Sequence, residues 1–181
     1  MKSGGGKRKG GDYEREICKK LSLWISEGQR EDIFWRSAMS GGRATVQYKK
    51  GVNNKSQVCD ISAIDPLGNF LIDKTIIECK TYRCLHIDSF IFNYSLKTNN
   101  AYNFWIELSN KAKEVNKIPI LICKQNNSKS LIILPHYLAS KFSLNSLAII
   151  KKHDISIEIF LLDNFLGINF SLFKNAISNE N

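Results

Sequence analysis

Three carboxylates and one lysine of this chain occupy positions that read as inward-facing. The stretch IIECKT, residues 76–81, reads as a strand. Side chains alternate along a strand, so Ile77, Cys79 and Thr81 share one face and Ile76, Glu78 and Lys80 the other. Glu78 and Lys80 then stand side by side, roughly 6.6–6.8 Å apart along the strand, within reach of one small site. Asp60, in the strand-like QVCDISAI of residues 57–64, lies between the apolar Cys59 and Ile61 and shares its face with Val58 and Ser62. If the DPLGN turn that follows makes the two strands antiparallel neighbours, Asp60 approaches Glu78. Two close carboxylates repel each other and require a cation, or a proton on one of them.

A third carboxylate comes from a helix near the N-terminus. Tyr13, Ile17, Cys18, Leu21, Trp24 and Ile25 recur at helical spacing. Counted from Glu14 at about 100° per residue, this stripe runs from Tyr13 at about 260° to Cys18 at about 40°, with Glu14 inside it. Glu16, near 200°, points to solvent on the same wheel. An inward carboxylate without a partner is costly, and a shared metal ion is the simplest partner. Taken singly, each acid has an ordinary explanation: a surface ion pair for Glu78 and Lys80, a strand-end hydrogen bond for Asp60, favourable charge at a helix N-terminus for Glu14. Together they are harder to dismiss, because acids are the minority charge, 17 against 26 lysines and arginines, yet three sit at inward positions.

The elements that must hold these residues follow from pattern. Residues 1–11 are almost entirely glycine, lysine and arginine and read as a flexible basic arm. The helix begins near Asp12, a capable N-cap, and stops at Gly28. Residues 33–36 read as a short extended piece, with Trp35 assigned to the core and, as a lesser alternative, to DNA contact. A glycine-containing loop, SAMSGGR, follows. Residues 43–57 carry Arg43, Lys49, Lys50 and Lys55 and no acid, and read as a basic excursion. The segment FLIDKTIIECKTY reads as one or two strands. Ala101, Phe104, Trp105, Leu108, Ala112 and Val115 form a second helical stripe. PILIC and LIIL read as short buried strands, a short helix is expected beyond Pro135, and ISIEIFLL reads as a final strand. The expected class is α/β, a mixed central sheet flanked by helices, in one domain over residues 12–181. Its core spans about 12–135, and a C-terminal extension has no assigned role.

Composition bounds the rest. With 181 residues the chain has room for a real core, and its net charge of +9 points to a polyanionic partner. No apolar run approaches the roughly 20 residues that span a bilayer, and MKSGGGKRKGG lacks the apolar heart of a signal peptide. These features lead to the expectation of a cytoplasmic location without membrane attachment. The five cysteines form no CxxC pair and indicate no disulfide framework or zinc site.

The spacing Asp60…Glu78-Cys79-Lys80 resembles the signature of the PD-(D/E)XK nuclease superfamily, with Cys59 where the motif's proline would stand. Within it, KRKGGDYERE, residues 7–16, is similar to the opening of archaeal-type Holliday-junction resolvases, in which a basic arm precedes a helix bearing a catalytic glutamate; the match falls on Glu14. WRSAMSGG, residues 35–42, resembles their serine-bearing loop, with Ser40 the best match. The stretch from Ser40 to Asp60 is longer than usual for those proteins.

The resemblance implies a restriction-endonuclease-like core and a Mg²⁺-dependent endodeoxyribonuclease, with Mn²⁺ as a substitute. Glu14, Asp60, Glu78 and the backbone carbonyl of Cys79 would hold one or two metal ions. Lys80 would orient the attacking water or steady developing charge, and Ser40 would contact phosphate or metal-bound water. Lys7, Arg8, Lys9, Arg36, Arg43, Lys49, Lys50 and Lys55 are candidate DNA contacts. The implied substrate is a four-way junction and the implied assembly a homodimer. Competing readings are a restriction or repair nuclease of the same superfamily, and a DNA-binding module with an inactive site.

Overall fold

The computed structural model describes residues 5–37, 59–88, 101–152 and 155–178. The first helix, α1, spans Gly5–Ile25. It is followed by β1, Phe34–Arg36, and β2, Ile61–Ala63, which pair antiparallel as a separate two-stranded ribbon. A 3₁₀ turn at Pro66–Gly68 leads into α2, Asn69–Lys74, and then β3, Thr75–Tyr82. After α3, Ala101–Glu114, come β4, Ile118–Gln125, and β5, Leu131–Pro135. The chain closes with α4, His136–Ala139; β6, Ala148–Lys152; β7, Ile155–Leu161; α5, Leu162–Phe165; and α6, Phe170–Ser178.

The main sheet has the order β3-β4-β5-β7-β6. β3 and β4 run parallel, with Glu78 opposite Leu121, and the other neighbours run antiparallel. This is the expected mixed α/β architecture, consistent with a restriction-endonuclease-like fold. Alternation along the strands produces two apolar layers. On one face Ile77, Cys79, Ile120, Ile122, Ile132 and Phe160 pack with the stripe of α1 and with Phe165, Phe173 and Ile177. On the other, Ile76, Leu121, Cys123, Ile133 and Ile157 pack with Trp105, Leu108 and Ala112 of α3. Residues beyond Pro135 therefore supply two strands of the sheet and part of its cover.

Four expectations about local structure are corrected. α1 starts at Gly5, so residues 5–11 belong to the helix and not to an arm. Gly11 is buried there, and a Cβ on it would stand 2.8 Å from Nη1 of Arg36, so an alanine would require the guanidinium to shift. Residues 69–74 are helical, not strand. Asp65 caps the preceding 3₁₀ turn by accepting from the Leu67 N–H, and the Thr75 hydroxyl donates to the Leu71 carbonyl where the helix gives way to β3. β2 pairs with β1 and not with β3. Trp35 lies outside the core, 53% exposed, because alternation in β1 sends Phe34 inward instead.

One buried hydroxyl of α1 ties down the start of the ribbon. Buried Ser22 Oγ accepts from the backbone N–H of Ile33 and of Phe34, at 3.1 and 3.0 Å, and donates to the Cys18 carbonyl.

Candidate active site

Asp60 precedes β2 and is tied to two elements through its own backbone and side chain. Its N–H donates to the Ile77 carbonyl of β3 at 3.3 Å, and its carbonyl accepts from Ser37, just past β1, at 2.8 Å. Its carboxylate Oδ2 accepts from the Cys79 N–H at 2.8 Å. Asp60 thus approaches Glu78 as expected, but it is stitched across the end of the ribbon onto β3, not carried there by a hairpin. The Cys79 side chain packs away from the site into the α1 layer, and its thiol is held well above its ordinary range, first by burial and then by Asp60.

Glu78 is itself buried, 9% exposed, and ion-pairs with Lys80 at 2.5 Å. Burial and the neighbouring Glu78 charge push the Asp60 carboxyl up to about 7, against the opposing pull of the Cys79 N–H and of Lys80. Burial alone would lower the Lys80 ammonium, but the charge and hydrogen bond of Glu78, together with Asp60, outweigh it and hold the group above its usual value. Lys80 is therefore a fixed cation at neutral pH, suited to steady negative charge and not to accept a proton. Its Nζ lies 5.4 Å from the ring centroid of Phe104 on α3, and that ring stacks on Tyr82 at 5.3 Å.

Glu14 faces inward as the helical wheel indicates, its side chain 14% exposed against 42% for Glu16. It contributes to raising Asp60. Its carboxylate Oε2, however, accepts from Nε of Arg36 at 3.0 Å. Among the described residues no three His, Cys, Asp or Glu side chains stand together as a metal-holding group. The expected convergence of three carboxylates is thus not reached by side-chain distance. Like charges separate when each finds its own cation, Arg36 for Glu14 and Lys80 for Glu78. A divalent cation fits the Asp60–Glu78 pair on the chemistry of its donors: two hard carboxylates meeting at β3, one of them raised to about 7 by burial and by the charge of the other.

The remaining candidates are dispersed. Lys7 lies within α1, and Arg8 and Lys9 are exposed on it; Lys9 Nζ donates to Asn126 Oδ1. Ser40, Arg43, Lys49, Lys50 and Lys55 lie outside the described residues. Arg36, read as a DNA contact, is held by Glu14. Phe104 and Gly11, which pack against Lys80 and Arg36, carried no chemical signal in the sequence.

No described helix is long and apolar enough to cross a membrane. A family model described as "Phage putative PDDEXK endonuclease" matches residues 5–175. Among curated proteins and among solved structures, none matches the chain.

Proposed function

The chain belongs to that PDDEXK endonuclease family, and from this premise we propose that it is a metal-dependent, structure-selective DNA endonuclease that resolves four-way junctions as a homodimer. The observation that carries the nuclease reading is the buried Asp60–Glu78 pair, with Asp60 aimed by the Cys79 N–H and Lys80 ion-paired to Glu78 beside it. Asp60, Glu78 and the Cys79 carbonyl would hold Mg²⁺, or Mn²⁺ in its place. Bound there, the ion supplies Lewis acidity toward the scissile phosphate and lowers the pKa of a water. Asp60 would hold the ion as the carboxylate, and its hydrogen bond from the Cys79 N–H keeps that carboxylate aimed. Lys80, braced by Glu78 and Phe104, steadies charge developing on the phosphate. Glu14, whose charge reaches Asp60 and whose carboxylate pairs with Arg36, would tune the site from α1. Lys7, Arg8 and Lys9, with the basic stretch of Arg43, Lys49, Lys50 and Lys55, supply phosphate contacts, and Ser40 contacts phosphate or water.

The junction preference rests on the likeness of KRKGGDYERE and WRSAMSGG to the resolvases, and the dimer on the two symmetric cuts that resolution requires. The test compares junction, flap and linear duplex DNA with Mg²⁺, alongside solution mass. Paired symmetric nicks by a dimer support the resolvase reading. A monomer that cuts duplex as readily as junctions overturns it and leaves the broader nuclease. Asp60→Asn should abolish cutting while retaining DNA binding; persistent Mg²⁺-dependent cutting in that variant removes Asp60 from the mechanism.

A further inference from the structure

Of the three tryptophans, Trp24 and Trp105 are buried, whereas Trp35 presents half its surface to solvent. It stands in the middle of β1, between Phe34, which enters the core, and Arg36, which turns to Glu14. The antiparallel register sets Trp35 opposite Ser62, and the ladder continues through the Ser37–Asp60 bond. Side chains two apart on a strand share a face, so Asp60, Ser62 and Ile64 lie on the Trp35 side of the ribbon. Asp60 and Ile64 are the two diagonal neighbours of Trp35, a relation that places side chains about 7–8 Å apart. Ile64 is also exposed, at 62%. An apolar shelf of Trp35 and Ile64 thus leads directly away from the acid of the site.

Resting on the nuclease reading of that site, we propose that Trp35 stacks on an unpaired nucleobase next to the scissile phosphate. The enzyme would thereby select DNA in which that base has left its duplex partner, as at a branch or a gap. A base inside continuous duplex keeps both faces covered by its neighbours and offers nothing to an indole. An unpaired base offers a π-face, and base–aromatic stacking changes affinity by about 5- to 150-fold on removal of the ring. The apolar shelf adjoins an acid assigned to phosphodiester chemistry, which favours a nucleic-acid occupant over an apolar protein surface.

The experiment uses the full chain in metal-free buffer with a junction, a gapped duplex and a fully paired duplex of the same sequence. Because Trp35 is the exposed tryptophan, its fluorescence should be quenched by the first two and not by the third. Trp35→Ala should weaken binding to the junction and gapped DNA by about 5- to 150-fold and to paired duplex less than twofold. Trp35→Phe should restore most of the loss. Equal losses on all three DNAs, or none, overturn the proposal while wild-type cutting with Mg²⁺ leaves the nuclease reading intact. A wild-type protein that cuts none of these DNAs with Mg²⁺ removes the nuclease reading, and the proposal with it.

Discussion

Replacing Asp60 by Asn should make the protein more stable at neutral pH and leave it no more stable in acid. The Asp60 carboxyl is raised from 3.8 to about 7, chiefly by burial and then by Glu78. The folded state therefore binds a proton that the unfolded state has released, and stability contributed by this group is present below about pH 4 and lost as pH rises through 7. Each pKa unit is worth about 1.4 kcal/mol, so the penalty reaches a ceiling of about 4 kcal/mol above pH 7. Asparagine never ionises. Its carbonyl oxygen can accept from the Cys79 N–H as Asp60 Oδ2 does, and its neutral amide does not repel Glu78. For a chain of this size about 1 kcal/mol corresponds to about 2–4 °C in Tm. Thermal unfolding followed by circular dichroism from pH 4.5 to 8.5, without divalent cations, should show the variant's advantage growing toward about 8–16 °C at high pH. Adding Mg²⁺ should raise the wild type more than the variant. Parallel Tm–pH curves for the two proteins would refute the assignment of a destabilised, ionisable Asp60.

Since Mg²⁺ binding must displace the Asp60 proton, its apparent affinity should fall about tenfold for each pH unit below 7, measured by calorimetry or by metal titration of cleavage. A flat profile would mean that Asp60 is already ionised in the free protein. Glu14→Gln should impair cleavage strongly, whereas Glu16→Gln, which disturbs only exposed pairs with Lys20 and Lys124, should be nearly silent. The reverse order of sensitivity in a cleavage assay would mean that the wrong helix face has been assigned to the site. Ser22→Ala removes the acceptor for two buried N–H groups and should cost about 1–3 kcal/mol in chemical denaturation, with cleavage per folded molecule retained. An unchanged denaturation midpoint would show that the ribbon does not depend on that hydroxyl.

What could be read from the sequence divides along the range of the interactions. The inward phase of Glu14 and the pairing of Glu78 with Lys80 depend on local periodicity, and the structure places both side chains accordingly. The sequence pattern suggests that Asp60 approaches Glu78 through a β2–β3 hairpin, which the described strands do not form; the link is a set of hydrogen bonds with Ser37, Ile77 and Cys79 that no local pattern announces. The apolar run FLI, residues 70–72, fits strand and helix alike, and capping by Asp65 and closure by Thr75 decide for the helix. The four-residue helix α5 and the edge strand β6 carry too little periodicity to be read, whereas α6 has Phe170, Phe173 and Ile177 at helical spacing, a stripe the sequence reading leaves unassigned. The Glu14–Arg36 pair joins residues 22 positions apart, so its existence waited on the ribbon's docking against α1.

The bond between the Ser37 N–H and the Asp60 carbonyl has a further consequence for how such an enzyme can change. It brings residues 37 and 60 within 2.8 Å, so the stretch between them, which carries Arg43, Lys49, Lys50 and Lys55, leaves and re-enters at a single clasp. In polymer terms the entropic cost of joining the two ends of a stretch of chain grows by only about 0.6 kcal/mol for each doubling of its length. The number of residues between 37 and 60 therefore enters that cost only weakly, while the bonds that hold Asp60 against β3 come from residues outside the stretch. Exchanging that stretch would replace Ser40 and the basic residues Arg43, Lys49, Lys50 and Lys55 together, while the acid that the clasp holds stays where it is.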